Sequence, residues 1–128
     1  MPLIRVKSLL FDHEVNVSQV VCNLSQAMSD ATGIEPHHIM ITWEYLSAGH
    51  YAHGGKVTQT QPINSHPVLI DLIAPNFNTE DQIKAMLELI ANTVAELVPI
   101  AKNNIFINYT PAYSDGVYGD GHVVEWDL

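Results

Sequence analysis

Apolar and polar residues begin to alternate at the third position. Leu3-Ile4-Arg5-Val6-Lys7-Ser8 is rich in branched side chains and predicts a strand that starts almost at once. The period then lengthens. Val17, Val20, Val21, Leu24, Ala27, Met28 and Ala31 recur three and four residues apart, which makes one apolar stripe of a helix. Asn16 is its N-cap, with Gln19 three residues on, and Gly33 supplies the left-handed stop. Residues 39–46 predict a second strand.

The same order recurs in the second half. Val68-Leu69-Ile70-Asp71-Leu72-Ile73 predicts a short buried strand between Pro67 and Pro75. Thr79 and Gln82 form a capping box, and Ile83, Met86, Leu87, Ile90, Val94 and Leu97 give a second stripe that Pro99 brings to an end. Ile105-Phe106-Ile107-Asn108-Tyr109 predicts the fourth strand. Sliding one half onto the other places Pro67 on Pro2 and, one residue out of step, Ile105-Phe106-Ile107 on Ile39-Met40-Ile41.

The chain therefore reads as a single α/β domain made of two tandem β-α-β units, residues 1–46 and 67–110. A loop (47–66) joins them and a tail (111–128) follows. Each crossover helix returns the chain to a parallel strand, and one four-stranded mixed sheet carries both helices on one face. The other face would be bare, and the Ile, Val, Trp and Tyr of the strands argue that it is covered by oligomerisation. The loop contains Gly49, Gly54, Gly55, His50, His53 and His66 without a period, so it is expected to be mobile and to border a site. Glycines 116, 119 and 121 between short apolar pieces predict a hairpin or small edge strands in the tail.

Charge narrows the partners. The formal net charge is -9, and the five cations (Arg5, Lys7, Lys56, Lys84, Lys102) are too scattered to form the basic stripe a nucleic acid requires. No stretch has the length of a membrane span, and the N-terminus lacks a signal-peptide pattern. Cys22 is the sole cysteine and is expected to be a small buried thiol on the first helix. A reducing cytoplasmic compartment fits best.

Most motif chemistry is missing. Neither Gly-rich phosphate loop occurs, nor does G-x-S-x-G. His50-x-x-His53 has the spacing of a metal pair, but no Cys or carboxylate cluster accompanies it, and it reads as part of a polar loop. His37-His38 reads as part of a turn. No metal or cofactor is expected. Pro2 stands apart. With Met1 removed it would carry a secondary amine at the head of a core strand, where burial disfavours the cation and lowers the pKa toward that of a working base.

Met1-Pro2-Leu3-Ile4 opening a strand, the paired units, Ala31-Thr32-Gly33-Ile34-Glu35-Pro36, Ala52-His53-Gly54-Gly55 and Asn104-Ile105-Phe106-Ile107-Asn108-Tyr109 together resemble the tautomerase superfamily. The likeness is strongest to its macrophage migration inhibitory factor branch, which has fused double units. The resemblance implies a homotrimer with sites between subunits, acting on a small-molecule carbonyl acid by keto–enol tautomerisation. By position it implies Pro2 as general base and Asn108 as a polar pocket residue. It places Phe106 where that branch has a tyrosine, and Ile73 (or Leu72) and Val117 as apolar walls. Ile34 stands where a lysine is expected, and Lys56, or Arg5 and Lys7 of the first strand, are candidate replacements for that cation. A non-catalytic trimeric homologue, acting in binding or as a scaffold, is the alternative.

Overall fold

A computed structural model describes residues 1–126. The first strand, β1 (Leu3–Leu9), is followed by α1 (Val17–Thr32) and β2 (Met40–Leu46). Then come β3 (Val68–Pro75), α2 (Glu80–Leu97) and β4 (Ile105–Ala112). The sheet order is β2-β1-β3-β4. The two units are each parallel internally and meet along an antiparallel β1–β3 seam. A separate hairpin of β5 (Val117–Gly119) and β6 (His122–Val124) closes the chain.

The helix ends follow the local chemistry. The Asn16 side chain accepts from the Gln19 backbone N–H, and Gly33 takes φ 75° at the other end of α1, a conformation that is cheap only without a Cβ. Thr79 and Gln82 satisfy each other's backbone N–H at the start of α2. One helix-facing core gathers Ile4 and Val6 of β1, Ile70 and Leu72 of β3, Val20, Leu24 and Met28 of α1, and Ile83, Met86, Ile90 and Val94 of α2. Cys22 is exposed, not buried. Two residues beyond Val20 and two before Leu24, it is turned about 200° from the stripe that carries them.

The uncovered sheet face is more polar than the strand composition suggests. Ile41 and Trp43 turn toward the helices, and the Trp43 indole N–H donates to the Ser8 hydroxyl at 3.0 Å. The open face carries Leu3, Arg5 and Lys7, with Arg5 in register with Asp71 and Lys7 with Glu44. Phe106 and Asn108 of β4 lie on this face too, with Phe106 60% exposed.

The 47–66 loop is tied down. It crosses the C-terminal end of β1, where Gln61, 4% exposed, accepts from Leu9 N–H and donates to the His66 and Pro62 carbonyls. The Gln61 N–H donates to Leu10 C=O, and the Tyr51 hydroxyl to Pro67 C=O. Buried His66, at φ 50°, has both ring nitrogens engaged, by Ser65 Oγ and Lys56 C=O, while its N–H donates to His53 Nδ1. His53 and His66 thus form a hydrogen-bonded buttress.

Gln61→Ala leaves the Leu9 N–H and two carbonyls without this partner in a buried place. Urea unfolding should show a loss of about 1–3 kcal/mol, and the exposed Gln59→Ala control a change within about 0.5 kcal/mol.

Candidate active site

The β1–β3 seam sends the start of β1 and the end of β3 to the same edge of the sheet. There the end of α1, the start of α2 and the β5–β6 hairpin enclose a pocket of about 1040 Å³. Its walls are largely apolar, built from Met1, Ile34, Met40, Phe77, Leu89, Val117 and Trp126 among others. Phe77 and Trp126 meet edge to face with ring centroids 5.7 Å apart. Trp126 is fixed by its indole N–H to Asn76 Oδ1 at 2.9 Å and its backbone N–H to Ser114 Oγ at 2.8 Å. These bonds strap the tail across the pocket.

Polar groups at the pocket are few. His37 and His38 come from the turn before β2, His122 and Asp120 from the hairpin, and Asn78 and Gln82 from the entry to α2. None of the described lining residues is Lys or Arg.

Pro2 is fully buried at the head of β1, and its carbonyl accepts from Met40 N–H at 3.1 Å. Met1 precedes it and lines the pocket. In the chain with Met1 attached, the Pro2 nitrogen is an amide with no lone pair to act as a base. The free amine is on Met1, and burial pushes it below the ordinary value of 8.0.

The other sequence-selected residues are dispersed. Val117 lines the pocket. Ile73 lies on the open face opposite Leu3, while its neighbour Leu72 is buried in the core; Ala74 and Pro75, further along β3, reach the pocket. Phe106 and Asn108 are on the open face of β4, and the Asn108 side chain donates to Thr110 Oγ1 at 3.3 Å. A single chain therefore does not bring Asn108 to Pro2. Lys56 sits in the crossing loop, at the opposite end of β1, about 20 Å away along the strand at ~3.3 Å per residue. The loop does not border this pocket, because it follows β2, whose end lies at the far edge. In the sequence His37 and His38 read only as part of a turn, and no pattern there marks His122 or Trp126 as pocket residues. The paired histidines after Pro36 were the visible signal for two of them.

No protein-family model matches the chain, and no curated protein matches it. Solved structures do. The F6 fused 4-OT, an asymmetric trimer, superposes with a TM-score of 0.81 at 21% identity, covering 94% of each chain. Pt0534 inactivated by 2-oxo-3-pentynoate gives 0.82 at 14% identity, covering 95% of this chain and 94% of that one. Macrophage migration inhibitory factor from Oncomelania hupensis gives 0.76 at 13% identity, covering 98% and 99%. At these identities the likeness is one of fold: the chain has the tautomerase β-α-β fold.

Depression of the terminal amine has a definite sign. A base whose folded value is lowered adds stability that is complete above 8.0 and is lost as the pH falls through the folded value. In the form that keeps Met1, an NMR titration of the Met1 resonances should give a midpoint below 8.0, returning toward 8.0 in urea.

Proposed function

We propose that this chain, once relieved of Met1, is a homotrimeric tautomerase that uses the Pro2 amine as general base on a small carbonyl acid. The observation that carries the reading is the relation between Met1 and Pro2. Pro2 is buried at the head of β1 and is not itself part of the pocket lining, while Met1, bonded to it, lines a large apolar pocket. Excision of Met1 would convert the Pro2 amide into a secondary amine opening on that pocket. The apolar surroundings would disfavour its cation and hold it neutral near physiological pH.

In the reaction, neutral Pro2 would remove a proton from the carbon next to the substrate carbonyl. The electron pair would move onto the carbonyl oxygen as an enolate, and return of the proton from the Pro2 ammonium to that oxygen would give the enol and restore the neutral amine. A preorganised donor toward that oxygen gains most as the charge develops. Asn108 is assigned that role. Its place on the open face means that it would serve the Pro2 of an adjacent subunit, whose pocket would lie beside this face. The trimeric state of the F6 relative and the acetylenic 2-oxo acid that inactivates Pt0534 support this assembly and this substrate class.

One observation favours the alternative, a non-catalytic trimer. The described pocket lining has no Lys or Arg to hold a carboxylate, and Ile34 and Phe106 stand where the related branch has a lysine and a tyrosine.

Two measurements test the proposal. Light scattering on the size-exclusion peak at micromolar protein should give the mass of three chains; a stable monomer or dimer overturns the assembly. The Met1-free protein should catalyse enol–keto exchange of an aryl- or alkyl-pyruvate, with a rate that rises with pH as Pro2 loses its proton. The form that keeps Met1 should be inactive. Asn108→Ala should lower turnover by about 100-fold or more. A processed, trimeric Pro2→Ala protein with undiminished activity removes Pro2 from the mechanism. Absence of turnover by the processed wild type leaves the non-catalytic reading.

A further inference from the structure

The turn between α1 and β2 holds three metal-ligating side chains that the proton chemistry above does not use. Glu35, His37 and His38 each bring one ligand atom within 4.8 Å of the other two, the one such group among the described residues. Glu35 Oε2 and His37 Nδ1 are 3.3 Å apart. A tetrahedral ion with bonds of about 2.0–2.1 Å has ligands about 3.3 Å apart, so this pair already spans one edge of such a site. The His38 ring lies against that of His37, with centroids 4.0 Å apart, which keeps its ligand atom within 4.8 Å of the other two.

The backbone beneath these side chains is fixed. Pro36 sets the first φ of the 3-10 turn Pro36–His38, and the turn is closed by His38 N–H to Glu35 C=O at 2.9 Å and Ile39 N–H to Pro36 C=O at 3.0 Å. It is pinned on both sides. Ile34 C=O accepts from Ser29 Oγ, and Ile39 is buried in the core. All three ligands thus come from four consecutive residues whose backbone is already ordered, so little chain entropy opposes their convergence. The side chains are exposed, which leaves an ion free entry.

The geometry points to a divalent transition-metal site at the rim of the pocket, formed by Glu35, His37 and His38. Two imidazoles and a carboxylate suit Zn²⁺, Ni²⁺ or Cu²⁺ and not Mg²⁺ or Ca²⁺, which take oxygen ligands. Three protein ligands leave at least one position open. His37 and His38 both line the pocket, so an ion there stands beside the space in which a small molecule would sit. It would supply positive charge to a pocket whose described lining has no Lys or Arg, and an oxygen of a carboxylate or carbonyl compound could take the open position. The binding itself does not depend on Pro2 chemistry.

Calorimetric titration of the full chain with Zn²⁺ tests this directly, whether or not the protein has activity. One saturating site per chain is expected, undisturbed by excess Mg²⁺. His37→Gln and His38→Gln should each weaken it by about tenfold or more, since loss even of outer-sphere partners has effects of 10–100-fold. Glu35→Gln should weaken it in the same direction, while His13→Gln and His50→Gln leave it unchanged. As a second readout, Ni²⁺ should broaden the Met40 and Met1 methyl resonances, which share the pocket with the two histidines. The variants are at exposed positions, and their circular dichroism should match that of the wild type. Unchanged affinity in the folded double variant H37Q/H38Q, equal binding of Mg²⁺, or no saturable Zn²⁺ binding by the wild type overturns the assignment.

Discussion

The antiparallel seam between β1 and β3 is the constraint from which the rest of the structure follows. Each β-α-β unit is parallel within itself, so the seam decides which ends of the two units coincide. It brings the head of β1 to the end of β4, and the head of β3 to the end of β2. The segment after each unit's second strand must then cover the head of the other unit's first strand. The tail after β4 does this for Pro2, with the Val117–Val124 hairpin and Trp126 walling the pocket. The loop after β2 does it for Pro67, whose carbonyl accepts from the Tyr51 hydroxyl.

Pro2 and Pro67 therefore occupy related places with different fates. Pro67 lies inside the chain, its nitrogen always an amide, and its end of the sheet is packed with polar bonds from Gln61, His66 and Asn104. The Pro2 end has an apolar pocket and a chain terminus. The duplicated architecture thus contains one strand head packed with polar bonds and one that lies beside an apolar pocket. Only the latter has the chemical option of a free secondary amine.

Much of this was legible in the sequence. Both helices begin at the residues that cap them, Asn16 and Thr79, because capping is a local interaction between side chain and backbone three residues apart. Gly33 and the hairpin glycines were readable for the same reason. Cys22 failed because a helical stripe is narrow, and two residues of offset turn a side chain to solvent. That the loop lies away from the pocket is not local information: its composition, three glycines and three histidines, reports polarity and turns but not topology. Its order depends on Gln61 reaching Leu9, a contact across 52 positions that no local pattern encodes. His37 and His38 read as a turn, which they form; that the turn also faces a pocket depends on a hairpin about 80 residues away.

The separation of Pro2 from Asn108 has a further consequence for the proposed chemistry. One is on the helix side of the sheet and the other is on the open face, so no side-chain rotation within a chain can join them. A base and an enolate donor must both lie within hydrogen-bond reach of one small substrate. On the proposed reading that condition can be met only where the open face of one subunit packs beside the pocket of another. That face is suited to selective burial. Arg5 faces Asp71 and Lys7 faces Glu44, so its charges are balanced between neighbouring strands, while exposed Phe106 and Met40 offer apolar area. Mixed faces of this kind discriminate among partners, because a misplaced copy would strand a charge in a dry interface. Assembly and activity would then be one equilibrium, and any change that loosens the open face would act on turnover without touching Pro2.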